Sequence, residues 1–146
     1  MQLENELANF FKIDAPRYKV IMAFLYGSYA GGFPRRDSDV DLAVVFDNEV
    51  KSDEDAFFLI TDISYRLTDL LGREVNVISV DRNFSHPMLY YNAIVSGKPV
   101  FIGNYDRYVA LILEAIYQME DFQIFGVAWQ QEAARKNMEG FDYAGI

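Results

Sequence analysis

The sequence has no cysteine, and that absence removes disulfides, thiolate metal centres and a cysteine nucleophile together. It has one histidine, His86, so no zinc-binding histidine cluster or histidine-based triad is in prospect, and His86 reads as a bystander near a helix start. Positive charge is scarce: 13 basic residues stand against 22 acidic ones, for a net charge of −9. A nucleic-acid binder usually carries a basic patch to meet phosphates, so direct nucleic-acid binding is not expected. The acidic balance instead suits a basic protein partner, or simply solubility. No apolar run approaches the ~20 residues that span a bilayer. The opening Met1-Gln2-Leu3-Glu4-Asn5-Glu6 lacks the basic start and apolar stretch of a signal peptide, so the expectation is a cytoplasmic protein with no membrane association.

What is present begins with size and apolar content. The chain has 146 residues, 51% of them hydrophobic, which is one domain's length with a sizeable core. The expected organisation is a single domain over 1–146, with a core at about 18–103 and a helical extension at about 104–138. Leu3 to Lys12 reads as an amphipathic helix that Pro16 then breaks. Val20 to Tyr26 and Asp39 to Phe46 read as strands, separated by a turn at 27–32 and a polar loop at 34–38. Asp53 to Leu71 has the marks of a long helix: Ser52 as N-cap, acids in the first turn, and Gly72 as the stop. Its buried stripe is expected to be Phe57, Ile60, Ile63, Leu67 and Leu70. Glu74 to Val80 forms a third strand, Ser85 and Pro87 open a helix running through Val95, and Pro99 to Ile102 closes the set of strands. Tyr105 to Asn137 is helical, with a kink expected near Gly126.

The most informative stretch is 27–41. A Gly27-Ser28 pair follows the first strand, and after ten more residues Asp39-Val40-Asp41 opens the second. Residues two apart on a strand share a face, so Asp39 and Asp41 present their carboxylates side by side. Adjacent carboxylates repel unless a cation sits between them, and hard oxygen donors suit Mg²⁺. Such a site can clamp the phosphates of a nucleoside triphosphate. Gly27 permits close backbone approach to a phosphate, with N–H groups at a short helix start to cradle it. Either half alone reads better as a solvated strand edge or an ordinary helix start; the spacing and the flanking strands bind them into one motif.

This GS-x10-D-x-D pattern, with Phe24-Leu25-Tyr26 before it and Leu42 to Phe46 after it, resembles the minimal nucleotidyltransferases (MNT) of the DNA polymerase beta superfamily. Ala8-Asn9-Phe10 upstream is similar to an Ala-x-Phe element of the MntA-type antitoxins in HEPN–MNT toxin–antitoxin pairs. The resemblance implies an α+β, polymerase beta palm-like fold: a small mixed sheet flanked by helices, with a helical tail. It implies Mg²⁺ held by Asp39 and Asp41, ATP as substrate with Gly27 and Ser28 holding its triphosphate, and transfer of AMP to a tyrosine of a partner HEPN-domain RNase toxin. Two departures stand out. The third family carboxylate, the base on a neighbouring strand, falls here on Asn76, which cannot accept a proton. Glu74, two residues earlier on the same strand face, is the substitute base with longer reach. Gly31 stands where family members often carry Arg, so Arg35 and Arg36 are the candidates to supply positive charge to the triphosphate.

Two rival readings remain open. A degenerate MNT protein could silence its HEPN partner by binding alone, as Asn76 suggests. An antibiotic nucleotidyltransferase is disfavoured because such enzymes usually carry a further helical domain. The tail segment Tyr105 to Met119 is apolar around more than half its circumference, so it, with Phe122, Phe125 and Trp129, is expected to contribute to a homo- or hetero-oligomer interface.

Overall fold

The computed structural model describes residues 2–28 and 39–143, except for the side chains of 124–130 and 137–143. In chain order the elements are α1 (Gln2–Tyr18), β1 (Val20–Tyr26), β2 (Val40–Phe46), α2 (Asp53–Leu71), β3 (Val75–Ser79), α3 (Pro87–Ile94), β4 (Lys98–Ile102) and α4 (Tyr105–Tyr143). The four strands form one mixed sheet in the order β3-β2-β1-β4. β1 pairs antiparallel with both β2 and β4, while β2 and β3 run parallel, joined by the α2 crossover. The expected α+β architecture, a small mixed sheet flanked by helices with a helical tail, is what the chain adopts.

Helices cover both faces. One face packs Val20, Leu25, Val40, Leu42, Val44 and Val75 against Leu7, Phe10 and Phe11 of α1 and Ile63 and Leu67 of α2. The other packs Met22, Phe24, Ala43 and Val45 against Tyr90, Ala93 and Ile94 of α3 and Ala115 of α4. Burial on both faces explains why β1 and β2 are near-continuous apolar runs rather than alternating ones. A polar clamp ties α1 to α2. The Tyr18 hydroxyl donates to Asp62 at 2.6 Å, and Arg66 donates to the Tyr18 oxygen at 2.9 Å. Arg66 also pairs with Asp14 at 3.2 Å and lies over the Phe10 ring.

α2 keeps the boundaries its sequence signals set: Ser52 Oγ accepts the N–H of Asp55, and Gly72 closes the helix in the left-handed region at φ 68°. Three expectations are corrected. Pro16 does not break α1, which runs on to Tyr18. It sits exposed in the last turn, where water can satisfy the carbonyl it leaves unpaired, and the added turn buries Ala15 and Tyr18. Phe57 and Leu70 lie outside the buried stripe of α2, at 61% and 60% exposure. A 19-residue helix, about 28 Å long, overhangs the five-residue β3, about 17 Å long, so its two ends have no sheet beneath them. α4 runs beyond the expected end at Asn137, to Tyr143. Its Tyr108, Leu111, Ile112 and Ala115 face the body, while Tyr105, Val109, Leu113, Tyr117 and Phe122 remain exposed. No described helix is long and apolar enough to cross a membrane.

Candidate active site

The site is built where the end of β1 meets the starts of β2 and β3. Strand register places Tyr26 beside Asp41, and Asp41 beside Asn76, so three side chains form a row across the sheet. Alternation puts this row on the same face as Phe24, Ala43 and Ile78, the face covered by α3 and α4. The Asn76 amide nitrogen donates to Asp41 Oδ1 at 3.5 Å, a long contact that still orients both groups.

Gly27 completes the row from the β1 side. Its φ is +75°, a conformation that L side chains rarely adopt, and a Cβ built on it would stand 2.5 Å from Asp41 Oδ2. The backbone turn favours glycine here, and any side chain would push the Asp41 carboxylate away. Ser28 follows in the turn and is exposed. Asp39 is exposed just before β2, one alternation from Asp41. Glu74 lies just before β3, where its carbonyl accepts the Val40 N–H at 2.9 Å and its exposed side chain belongs to the Asn76 face. Arg35 and Arg36 lie outside the described residues.

The electrostatics follow from this packing. Partial burial pushes the Asp41 carboxyl above the usual carboxylate range; the Asn76 hydrogen bond opposes that shift and the Asp39 charge adds to it. Burial, reinforced by the negative charge of Asp41, likewise raises the Tyr26 phenol. A carboxylate left unstable by burial and by a like-charged neighbour favours a cation. The donors at hand are hard oxygens: the Asp39 and Asp41 carboxylates, with the Asn76 carbonyl as a neutral donor. The residues therefore fit a Mg²⁺ ion, with one negative charge fewer than three carboxylates would offer.

Sequence reasoning missed the place of Tyr26, which it read only as the end of a strand. Its signal was available: it stands two residues after the buried Phe24 and directly before Gly27.

Comparisons with known proteins identify the family and the fold. Residues 5–106 match the family model "Polymerase beta, Nucleotidyltransferase". No curated protein matches at a significant level. The fold is similar to a chain in the crystal structure of a toxin–antitoxin with AMP-PNP, at TM-score 0.66 and 20% identity, covering 89% of this chain and 97% of that one. It is also similar to a chain of the toxin–antitoxin MntA-HepT, at TM-score 0.62 and 18% identity over 91% and 98% of the two chains. A third similarity is to a chain in the structure of the tri-AMPylated Shewanella oneidensis HEPN toxin in complex with MNT antitoxin, at TM-score 0.62 and 16% identity over 89% and 98%.

Proposed function

The chain belongs to the polymerase beta nucleotidyltransferase family, and from that premise we propose that it is an antitoxin that transfers AMP from ATP to a tyrosine hydroxyl of a partner HEPN-domain toxin. The observation that carries this reading is the contact between Gly27 and the Asp41 carboxylate, which joins a turn suited to phosphate and a pair of carboxylates suited to a cation. The similar folds add support, one determined with AMP-PNP and another beside an AMPylated HEPN toxin.

In this reading Asp39 and Asp41 would hold Mg²⁺, which would supply charge stabilisation to the transfer. The backbone at Gly27 and Ser28 seats the triphosphate, and Arg35 and Arg36 add positive charge to it. The tyrosine oxygen forms a bond to the α-phosphorus as the bond to pyrophosphate breaks, and the phenolic proton passes to Glu74 or to solvent. Asn76 cannot take that proton, so it orients Asp41 and lends a carbonyl donor. Catalysis then rests on positioning and electrostatics, which lets a site without a third carboxylate work slowly. The whole chain acts as one nucleotidyltransferase domain, and the apolar ridge left exposed on α4 meets the same HEPN partner.

Asn76 also favours a second reading, in which the chain neutralises its partner by binding alone. Incubating the full chain with α-labelled ATP, Mg²⁺ and a HEPN-domain toxin separates the two. Label on a toxin tyrosine, lost when Asp39 and Asp41 are both changed to Ala with the fold retained, supports transfer. Inhibition of the toxin without label supports binding alone, and label transfer at the parent rate by the double variant rejects the metal assignment.

A further inference from the structure

β3 is the terminal strand of the sheet, and its outer edge is open in a specific way. Val40 donates to the Glu74 carbonyl, and Val80 donates to the Val44 carbonyl. In a parallel ladder the backbone groups of alternate residues turn the same way, so Glu74, Asn76, Ile78 and Val80 spend theirs on β2. Val75, Val77 and Ser79 point theirs outward. Those of Val75 are capped by α2: its N–H donates to Thr68 Oγ1 at 3.2 Å, and its carbonyl accepts from the Ser64 hydroxyl. The Ser79 carbonyl has the Tyr90 hydroxyl at 3.4 Å. The Val77 N–H, the Val77 carbonyl and the Ser79 N–H have no partner among the described residues.

Beneath this short open edge lies a groove of about 500 Å³ between α2 and β3, lined by Phe57, Ile60, Tyr65, Thr68, Asn76 and Val77 among others. Phe57 and Tyr65 are 61% and 75% exposed along it, and Glu54 and Asp69 stand within one helical turn of them. Asn76, at the edge strand, lines this groove and also stands beside Asp41 on the other face of the sheet.

Open main-chain groups, an apolar floor, acidic flanks and a shared Asn76 at the strand edge together define one occupant. We propose that the β3 edge docks the acceptor segment of the partner as an added strand, an extended basic peptide that carries the tyrosine. This rests on the transfer reading above. Opposite Val77, a docked residue exchanges hydrogen bonds and turns its side chain to the α2 face, into the groove. Its neighbour in sequence turns to the other face, beside Asn76, and extends the row Tyr26, Asp41, Asn76 by one strand. An added strand lies about 4.8 Å beyond β3, which leaves Asp41 two strand spacings from the docked backbone. A phenol reaches back over Asn76 across one such spacing, whereas the hydroxymethyl of serine does not. The long side chain of the tyrosine already assigned as acceptor suits this distance.

Two variants of the full chain test this with a HEPN-domain toxin as probe. Val77→Pro removes the outward N–H without touching the ladder to β2, and Phe57→Glu charges the exposed groove floor. Both are expected to raise KM for the toxin at least tenfold while ATP affinity stays within twofold of the parent, and the Val77 amide of the parent is expected to gain hydrogen-exchange protection on toxin binding. Unchanged acceptor KM in both variants overturns the proposal. If Val77→Pro does not fold, Phe57→Glu alone decides. If the parent transfers no AMP, the transfer reading has failed, and protection at Val77 then decides docking alone: its presence supports the added strand and its absence overturns it. A doubled solution mass that Val77→Pro abolishes, with acceptor KM unaffected, assigns the edge to a second copy and also overturns it.

Discussion

Changing Asn76 to Asp puts a second carboxylate opposite Asp41, where the amide nitrogen now stands 3.5 Å from a carboxylate oxygen. At that separation two unit charges repel by about 1 kcal/mol at the dielectric of water and about 5 kcal/mol at the effective value for partly buried pairs. Asn76 is exposed, so the cost belongs toward the lower end. Asp41 already carries a raised pKa, and a carboxyl raised in the folded state adds stability below its unfolded pKa that is lost as pH rises through the folded value. The variant should therefore be less stable than the parent at neutral pH in EDTA, with a Tm lower by roughly 3 to 9 °C for 1 to 3 kcal/mol. The deficit should shrink as pH falls into the carboxylate range, and Mg²⁺ should erase it. The same added carboxylate supplies a base, so AMP transfer should rise by about 10²-fold or more. Thermal melts with EDTA and with Mg²⁺, beside single-turnover transfer of labelled AMP, measure both effects. A Tm indifferent to Mg²⁺ together with an unchanged transfer rate would refute the placement of Asn76 at the metal site.

Other outcomes are separable from that one. Glu74→Gln should slow transfer by about 10²-fold if Glu74 takes the proton; an unchanged rate removes it from the mechanism. Gly27→Ala forces a Cβ against Asp41 Oδ2 in a left-handed turn, so transfer should fall more than tenfold and stability by about 1–2 kcal/mol; wild-type transfer would show that the turn can move away freely. Burial pushes Asp81 up, but the Tyr90 hydroxyl at 2.7 Å and the Ser85 amide and hydroxyl at 3.0 and 2.9 Å outweigh it and hold the carboxyl below its usual range. Its contribution is present above the unfolded carboxylate pKa and lost as pH falls through the lower folded value. Asp81→Asn should cost about 1 kcal/mol at pH 7 and make stability fall less steeply on acidification; parallel denaturation curves of variant and parent between pH 7 and 3 would contradict this.

The parts legible in the sequence were those fixed by local chemistry. Ser52, the acids after it and Gly72 bound α2 at both ends because capping and a left-handed stop need nothing beyond their own turns. The apolar runs of β1 and β2 were legible for a similar reason, since strands covered on both faces leave no polar alternation to misread. Helical spacing could not say where the sheet beneath α2 ends, and so Phe57 and Leu70 were placed in the core. Nor could it weigh the burial of Ala15 and Tyr18 against the single hydrogen bond lost at Pro16. Asp39, Asp41, Asn76 and Glu74 could be named from the motif, but their register could not. That Tyr26, Asp41 and Asn76 stand side by side depends on one antiparallel and one parallel pairing, neither of which local spacing reveals.

The order of strands in the chain differs from their order in the sheet, and this has a consequence for synthesis. Tyr26, Gly27, Asp41 and Asn76 all precede β4, and the strands that carry them pair with near neighbours in sequence. β4 instead returns from far along the chain to lie on β1, with Met22 opposite Ile102. A chain growing from its N-terminus therefore makes Tyr26, Gly27, Asp41 and Asn76 before it makes the closing strand. Through that interval β1 is also a bare margin, its fully apolar run open to pairing with another nascent chain. Pairing of β4 with β1 is the longest-range strand contact in the sheet, the kind that costs most chain entropy to close.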